Sequence, residues 1–245
     1  MSGNLINSRL PDKNWTPRRI IFTVLFTAIS IGINYLGSFL AGLIAFPLYL
    51  DSVMTIAVTA LCGLVPGLIC AFGSNLLLFI FAHTGIFFSA CHLSTALIAW
   101  LIFRSERKNH PNEKLLSADS FMWAGFLAAI SNSIIGDTIS TFVYGANTSI
   151  PQVDNAVQGI FVAKESIPFA TYWGGTVTNL IDKIVGALFG FAIYFLLNRR
   201  KLRFADFSLN KKIINNVFNI VFIALGDSVA IVVGQLLGAG KMKEA

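Results

Sequence analysis

Charged residues are scarce in this chain. Asp, Glu, Lys and Arg make up 12% of its 245 residues, against about a quarter in an ordinary soluble domain. Hydrophobic residues make up 55%, and phenylalanine alone contributes 22 residues. A single core of this length cannot hide that much apolar surface from water. The composition therefore excludes a water-soluble globular fold and indicates an integral membrane protein.

Cysteine is also scarce, and the sequence lacks the common catalytic and metal-binding motifs. Cys62, Cys70 and Cys91 all fall inside apolar stretches, which argues against a disulfide framework. The three histidines have no metal-ligand spacing with one another or with these cysteines. The sequence contains no phosphate-binding Gly-x-x-x-x-Gly-Lys-Ser/Thr loop, no His-Glu-x-x-His and no nucleophile elbow. We therefore expect no metal, no cofactor and no enzymatic activity.

Long runs without charge predict membrane helices. The runs Ile20–Leu50 and Ser52–Phe103 contain no charged residue, and about 20 apolar residues span a bilayer. Turn residues at Pro66-Gly67 and at residues 82–85 divide the second run into three. The sequence thus predicts an all-α bundle of six membrane helices. They lie within Ile20–Leu50, Ser52–Val65, Gly67–Phe81, Ile86–Phe103, Ser120–Tyr144 and Tyr172–Asn198. Because the second helix is short, we expect it to begin before Asp51 or to be tilted.

The basic residues predict the orientation of this bundle. Of 18 Lys and Arg residues, four precede the first span, four lie in the loop Arg104–Asp119, and six follow Asn198 within residues 199–212. Basic loops stay preferentially in the cytoplasm. We therefore expect both flanks of the core to be cytoplasmic and the loop Gly145–Thr171 to be external. The sequence pI of 9.4 then reflects membrane topology, and we expect no nucleic-acid partner.

The chain divides into three segments. Residues 1–19 form a cytoplasmic N-terminal segment, residues 20–202 the six-helix membrane domain, and residues 203–245 an appended segment. Within the last segment, Ile213–Gly238 is an apolar stretch interrupted by Asp227. It either crosses the membrane as a seventh helix or lies on the inner surface as an amphipathic segment. We favour crossing.

Four short runs resemble a known family of membrane proteins. Asn34–Phe39, Phe46–Val53, Gly63–Gly67 and Gly73–Leu77 resemble the first half of the substrate-binding S components of energy-coupling factor (ECF) transporters, and Asn179–Lys183 fits the last core helix of that family. The resemblance implies a six-helix cell-membrane protein that captures a vitamin-like micronutrient from outside. It also implies that the protein passes this molecule to a transmembrane coupling subunit and its ATPase subunits.

Two alternatives to uptake remain open. The same module resembles the membrane sensor region that precedes some bacterial histidine kinases and phosphatases, so the chain could be a receptor that signals to a separate protein. No effector domain is fused to it, which favours transport. The tail Leu225–Ala245 resembles a stretch of the MATE family of multidrug exporters, and on this tail alone rests the second alternative, a truncated exporter. A complete exporter needs about twice the spans that this chain can supply, so we interpret the tail as an appended helix or a fusion remnant.

Ionisable residues inside the predicted spans are the first candidates for substrate binding. Asp137, Asp182 and Lys183 are such residues, and each costs a few kcal/mol in a membrane. Asp137 and Lys183 lie at similar depths on antiparallel neighbouring helices, so we expect that they meet, directly or through a ligand. With Asn179 they line a polar pocket open to the outside, or else they form a purely structural ion pair. Asp182 and Lys183 point to different helix faces, so direct neutralisation between them is not expected.

Further candidates lie nearer the predicted outer surface and on the first helix. Asp51 in the loop Ala45–Asp51 and Asn75 below residues 82–85 are the remaining substrate-binding candidates. Ala28 and Gly32 form a small-x-x-x-small step, which in S components docks the coupling subunit and which otherwise packs against the protein's own helices. Six other polar residues are expected to bridge neighbouring helices. These are His92, Ser94, Thr95, Ser131, Asn132 and Ser133.

Overall fold

The computed structural model describes residues 16–44, 48–82, 85–113, 115–145, 158 and 167–199. Within them the chain forms six α-helices of ten residues or more and no strand. The helices are α1 Pro17–Ile44, α2 Val53–Cys62, α3 Leu64–Ala82, α4 Ser89–Asn109, α5 Ala118–Val143 and α6 Ile167–Arg199. The predicted seventh helix Ile213–Gly238, the MATE-like tail, most of the N-terminal segment and most of the loop Gly145–Thr171 lie outside the described residues.

Five of these helices, all except α2, are long and apolar enough to cross a membrane. Their outer surfaces carry large hydrophobic side chains. Phe39, Leu43, Phe81, Trp123 and Leu196 are all more than half exposed. Apolar surface on this scale is stabilised by lipid rather than by water. The described residues therefore form a multi-pass membrane bundle.

Successive helices run in opposite directions. Arg19, near the start of α1, contacts the carbonyl oxygen of Cys62 at the end of α2. At the other end of the bundle, the ring of Phe88 stacks on Tyr144 with ring centroids 5.4 Å apart. We call the end at which α1 begins and α6 ends the basic end, because it holds every described Lys and Arg except Lys183. Both flanks of the core thus lie on one side, as predicted, and their assignment to the cytoplasm stays a prediction.

The short helix α2 lies at the centre of the bundle. All ten of its residues are buried, and it contacts α1, α3, α4 and α6. Ten residues extend about 15 Å, which is half the hydrocarbon thickness of a typical bilayer. The expectation that this helix begins before Asp51 is wrong. It begins at Val53, and it packs against protein instead of lipid over its whole length.

The break between α2 and α3 lies at Gly63 and not at Pro66-Gly67. Gly63 has φ 93°, a conformation that glycine adopts at low cost at the end of a helix. Pro66 is the third residue of α3, where its missing N–H costs no helical hydrogen bond. Gly67 lets α3 pack closely against α2, because a Cβ there would overlap the side chain of Thr59. Arg19 Nη2 donates to the Cys62 carbonyl at 2.7 Å, and this bond satisfies the C-terminus of α2.

The helices α5 and α6 cross closely at Gly125, and this crossing gives a testable prediction. A Cβ at Gly125 would lie 2.7 Å from both the Lys183 carbonyl oxygen and the Ala187 Cβ, whereas a Cβ at Gly32 would meet nothing within 4 Å. We expect Gly125→Ala to lower the free energy of unfolding by about 2 kcal/mol through overpacking. Gly32→Ala should be neutral or raise it by up to about 1 kcal/mol. Unfolding of both variants in one detergent checks this, and equal effects would contradict the close crossing.

Candidate functional site

Four ionisable side chains from three separate parts of the chain meet inside the bundle. Lys183 Nζ on α6 donates to Asp51 Oδ1 at 2.5 Å and to Asp182 Oδ2 at 2.8 Å. His92 Nε2, from the first turn of α4, lies 2.9 Å from Asp51 Oδ2. Asp182 and Lys183 are 1% and 2% exposed, whereas the Asp51 side chain is 16% exposed. We call these four residues the charge cluster, and Asp51 is its most accessible member.

Asp182 also holds the connection between α1 and α2. Its Oδ1 accepts hydrogen bonds from the backbone N–H groups of Tyr49 at 2.7 Å and Leu50 at 2.9 Å. Leu50 has φ 54°, in the left-handed region that a leucine rarely adopts. Such a conformation persists only where surrounding contacts impose it. The two hydrogen bonds that Asp182 accepts therefore fix the backbone conformation that places Asp51 beside Lys183.

The formal charges of the cluster determine what it can bind. Asp51 and Asp182 carry two negative charges against one positive charge on Lys183, so the cluster has a net charge of −1 when His92 is neutral and 0 when it is protonated. His92 Nδ1 is buried without a hydrogen-bond partner. The described residues include no group of three or more His, Cys, Asp or Glu side chains arranged to hold a metal ion. The Lys183 ammonium lies between the two carboxylates, so the cluster offers charged and hydrogen-bonding groups to the polar part of a ligand.

One prediction about these charges is wrong, and a second is wrong in its direct form. Asp182 and Lys183 do neutralise each other, because the long lysine side chain bends back to its neighbour. Asp137 does not form a direct ion pair with Lys183, whose carboxylate partners are Asp51 and Asp182; a contact between them through a ligand stays a prediction. Asp137 lies against α6 beside Gly175, where a Cβ would overlap its carboxylate. Gly175 precedes Lys183 by two helical turns, about 12 Å along the axis.

The remaining substrate-binding candidates lie apart from the cluster's hydrogen bonds. Asn75 Nδ2 donates to the Ala71 carbonyl of its own helix at 2.8 Å. Asn179 is half-buried one turn before Lys183. Asp137 is 5% exposed, and its Oδ2 has no hydrogen-bond partner. The structure therefore joins Asp51, Asp182 and Lys183, and it places Asp137 as a separate buried carboxylate.

The prediction of helix-bridging polar residues is confirmed in two cases. Ser94 and Ser131 hydroxyls lie 2.5 Å apart between α4 and α5, and Asn132 Nδ2 donates to Thr95 Oγ1 at 3.1 Å. His92, which we grouped with these residues, belongs instead to the charge cluster. Its only signal in the sequence is that it lies near the same predicted membrane surface as Asp51. Nothing in the 40 residues between them indicates a contact.

The small-residue step on α1 faces outward. Ala28 and Gly32 are both exposed, and no atom lies within 4 Å of a Cβ placed at Gly32. No described residue packs against Gly32, and packing of the step against parts of this chain outside the described residues stays an open alternative. In the described part of the chain, the step is open to lipid, to a helix of another protein or to the predicted helix Ile213–Gly238.

Comparison with known protein families, with characterised proteins and with solved structures finds no match for this chain.

Proposed function

We propose that this protein is the substrate-capturing membrane component of an ECF-type transporter for a vitamin-like micronutrient. The observation that supports this most is the charge cluster, in which buried ionisable groups from three chain segments meet within a membrane bundle. Burying ionisable groups in a membrane costs several kcal/mol, and they commonly mark a substrate pathway. A bundle that served only as scaffold would be more stable with apolar side chains at these positions.

The position of the cluster fits capture from outside the cell. Asp51 precedes α2 and His92 lies in the first turn of α4, so both lie toward the end opposite the basic end. Basic residues favour the cytoplasmic side, which assigns the opposite end to the exterior. A ligand would then reach Asp51, the most exposed carboxylate of the cluster, from outside the membrane.

The partner in this proposal is a transmembrane coupling subunit with its ATPase subunits, and the outward step at Ala28 and Gly32 is its docking surface. Small residues let another helix approach closely, and van der Waals packing drives association in lipid. A side chain larger than methyl at Gly32 would hold a partner helix away. It would not disturb the described bundle, because no described atom lies within 4 Å of a Cβ at that position.

Purification of the tagged chain from its native membrane tests this function. We expect the wild type and Gly32→Ala to retain a coupling subunit and ATP-binding subunits. Gly32→Leu should lose them by about tenfold or more, which corresponds to about 1.4 kcal/mol of lost packing. The isolated variant should unfold at the wild-type temperature. Recovery of a histidine kinase without ATP-binding transport subunits would contradict uptake and support the sensor alternative.

A further inference from the structure

Three buried oxygen atoms near the end of α5 have no hydrogen-bond partner. They are Asp137 Oδ2, Ser140 Oγ and Thr141 Oγ1. Residues three and four apart lie on the same side of a helix, so the three oxygens share one face of α5. Asp137 and Ser140 are 5% and 1% exposed, so water reaches neither side chain freely.

Unpartnered groups of this kind are rare in folded proteins. About nine in ten buried polar groups have a hydrogen-bond partner, and each one without a partner costs about 1–3 kcal/mol, with a higher cost for a charged group. A buried hydroxyl of the neighbouring helix α6 is bonded. Thr178 Oγ1 donates to the Gly175 carbonyl at 2.9 Å. Three unpartnered oxygens on one helix face therefore indicate a ligand site.

The described neighbouring helices pack closely against Asp137 and supply no positive charge to it. Gly175 of α6 lies so close to the Asp137 carboxylate that a Cβ at this position would overlap it. The residue before Asp137, Gly136, faces Cys91 of α4. Lys183, the one buried lysine among the described residues, is already bonded to Asp51 and Asp182. No described cation is paired with Asp137.

The summed charge of the buried groups points to the sign of the ligand. Away from the basic end, the described groups Asp51, Asp137 and Asp182 contribute three formal negative charges and Lys183 one positive charge, so their formal net charge is −2 with His92 neutral and −1 with His92 protonated. The other buried cation, Arg19, lies at the basic end, where it binds the Cys62 carbonyl. A ligand that carries one positive charge offsets this excess. A second carboxylate or a phosphate group would increase it.

We propose that Asp137, Ser140 and Thr141 bind a protonated amine of the transported substrate. An alkylammonium group has three N–H donors, which equals the number of unpartnered oxygens on this face of α5. The bond to Asp137 is charge-assisted and is the strongest of the three. This inference names the substrate class for the function proposed above and rests on it.

Small matched probes test the amine directly. The unfolding temperature of the full chain in lipid nanodiscs is measured in separate samples. One contains ethylamine or benzylamine, one the corresponding alcohol, and one the corresponding carboxylate. We expect both amines to raise the unfolding temperature of the wild type, and the alcohols and carboxylates to leave it unchanged. Asp137→Asn should need at least a tenfold higher amine concentration than the wild type for the same rise in unfolding temperature. Asp119→Asn, which changes an exposed carboxylate in the first turn of α5, should retain the wild-type response.

The stability of Asp137→Asn without a ligand separates a binding role from a structural one. A carboxylate kept for a ligand costs stability in the empty protein, so we expect Asp137→Asn without probe to unfold at the wild-type temperature or above it. Unfolding below that temperature would show that Asp137 has a structural partner and would overturn the inference. Equal stabilisation by amines and alcohols, no response to either, or an unchanged amine response in Asp137→Asn would also overturn it.

Native mass spectrometry of the purified chain distinguishes failure of this inference from failure of the proposed function. A retained small molecule with a protonatable amine, lost from Asp137→Asn, supports both. A retained neutral or anionic molecule overturns the amine and leaves substrate capture intact. If the amine response is present but no coupling or ATP-binding subunits co-purify, the site stands and the transport function fails.

Discussion

Lys183→Met is expected to lower the free energy of unfolding by about 3–5 kcal/mol, because it leaves two buried carboxylates without their shared cation. Asp51 and Asp182 each bond to Lys183 Nζ in the native protein. Lys108→Met is the control, since Lys108 is exposed near the end of α4 and its loss should change stability by less than about 0.5 kcal/mol. Unfolding of both variants in the same detergent measures the difference.

A double-mutant cycle identifies the source of this loss. Asp51→Asn removes one of the carboxylates that Lys183 balances, so the variant with both substitutions should lose less than the sum of the two single losses. A coupling of about 1 kcal/mol or more is expected for residues in one buried network. Additive losses would show that Lys183 stabilises the bundle by packing alone.

Asp182→Ala is expected to lower the free energy of unfolding by about 3 kcal/mol or more and to release the connection between α1 and α2. It leaves the N–H groups of Tyr49 and Leu50 without their acceptor, at about 1–3 kcal/mol for each buried group, and it unbalances Lys183. Hydrogen exchange of a peptide that contains both amides should accelerate in Asp182→Ala under native conditions.

Two variants show whether this acceleration is specific. Lys183→Met keeps the Asp182 carboxylate, so the Tyr49 and Leu50 amides should remain protected in it although the protein is less stable. Asp119→Ala, at an exposed acidic residue, should change neither exchange nor stability appreciably. Persistent protection in Asp182→Ala would mean that Asp182 does not hold the left-handed conformation of Leu50.

The membrane class and most helix positions could be predicted because they depend on local composition. The predicted spans Ser120–Tyr144 and Tyr172–Asn198 agree with α5 and α6 to within five residues at each end. The α2–α3 break could not be located, because Gly63 and Pro66-Gly67 are both valid turn signals. The choice between them depends on two contacts that exist only in the folded bundle. Arg19 donates to the Cys62 carbonyl, and the Thr59 side chain fills the space that a Cβ at Gly67 would need.

The members of the candidate site were easier to predict than their contacts. Asp51, Asp182 and Lys183 are conspicuous as charges in or between apolar runs. Their pairing depends on the rotamer of Lys183 and on the conformation of the α1–α2 connection. Asp182, 132 residues after Leu50, holds that connection in place. His92 was assigned another role because a histidine in an apolar helix has several common uses. Asp137 is recognisable in the sequence as an ionisable residue inside a predicted span, but its depth alone suggests a direct pair with Lys183, which binds Asp51 and Asp182 instead.

The central position of α2 has a consequence for how the protein is made. A ten-residue helix is too short to remain in a bilayer by itself, and the carboxylate that binds the backbone before it comes from α6, 132 residues later than Leu50. At about 5–20 residues per second, the ribosome needs about 7–26 s to synthesise that stretch. During this interval α2 must be sheltered by α1, α3 or the insertion machinery. Its final placement therefore follows the entry of α6 into the membrane, and α2 is assembled out of the order in which it is translated.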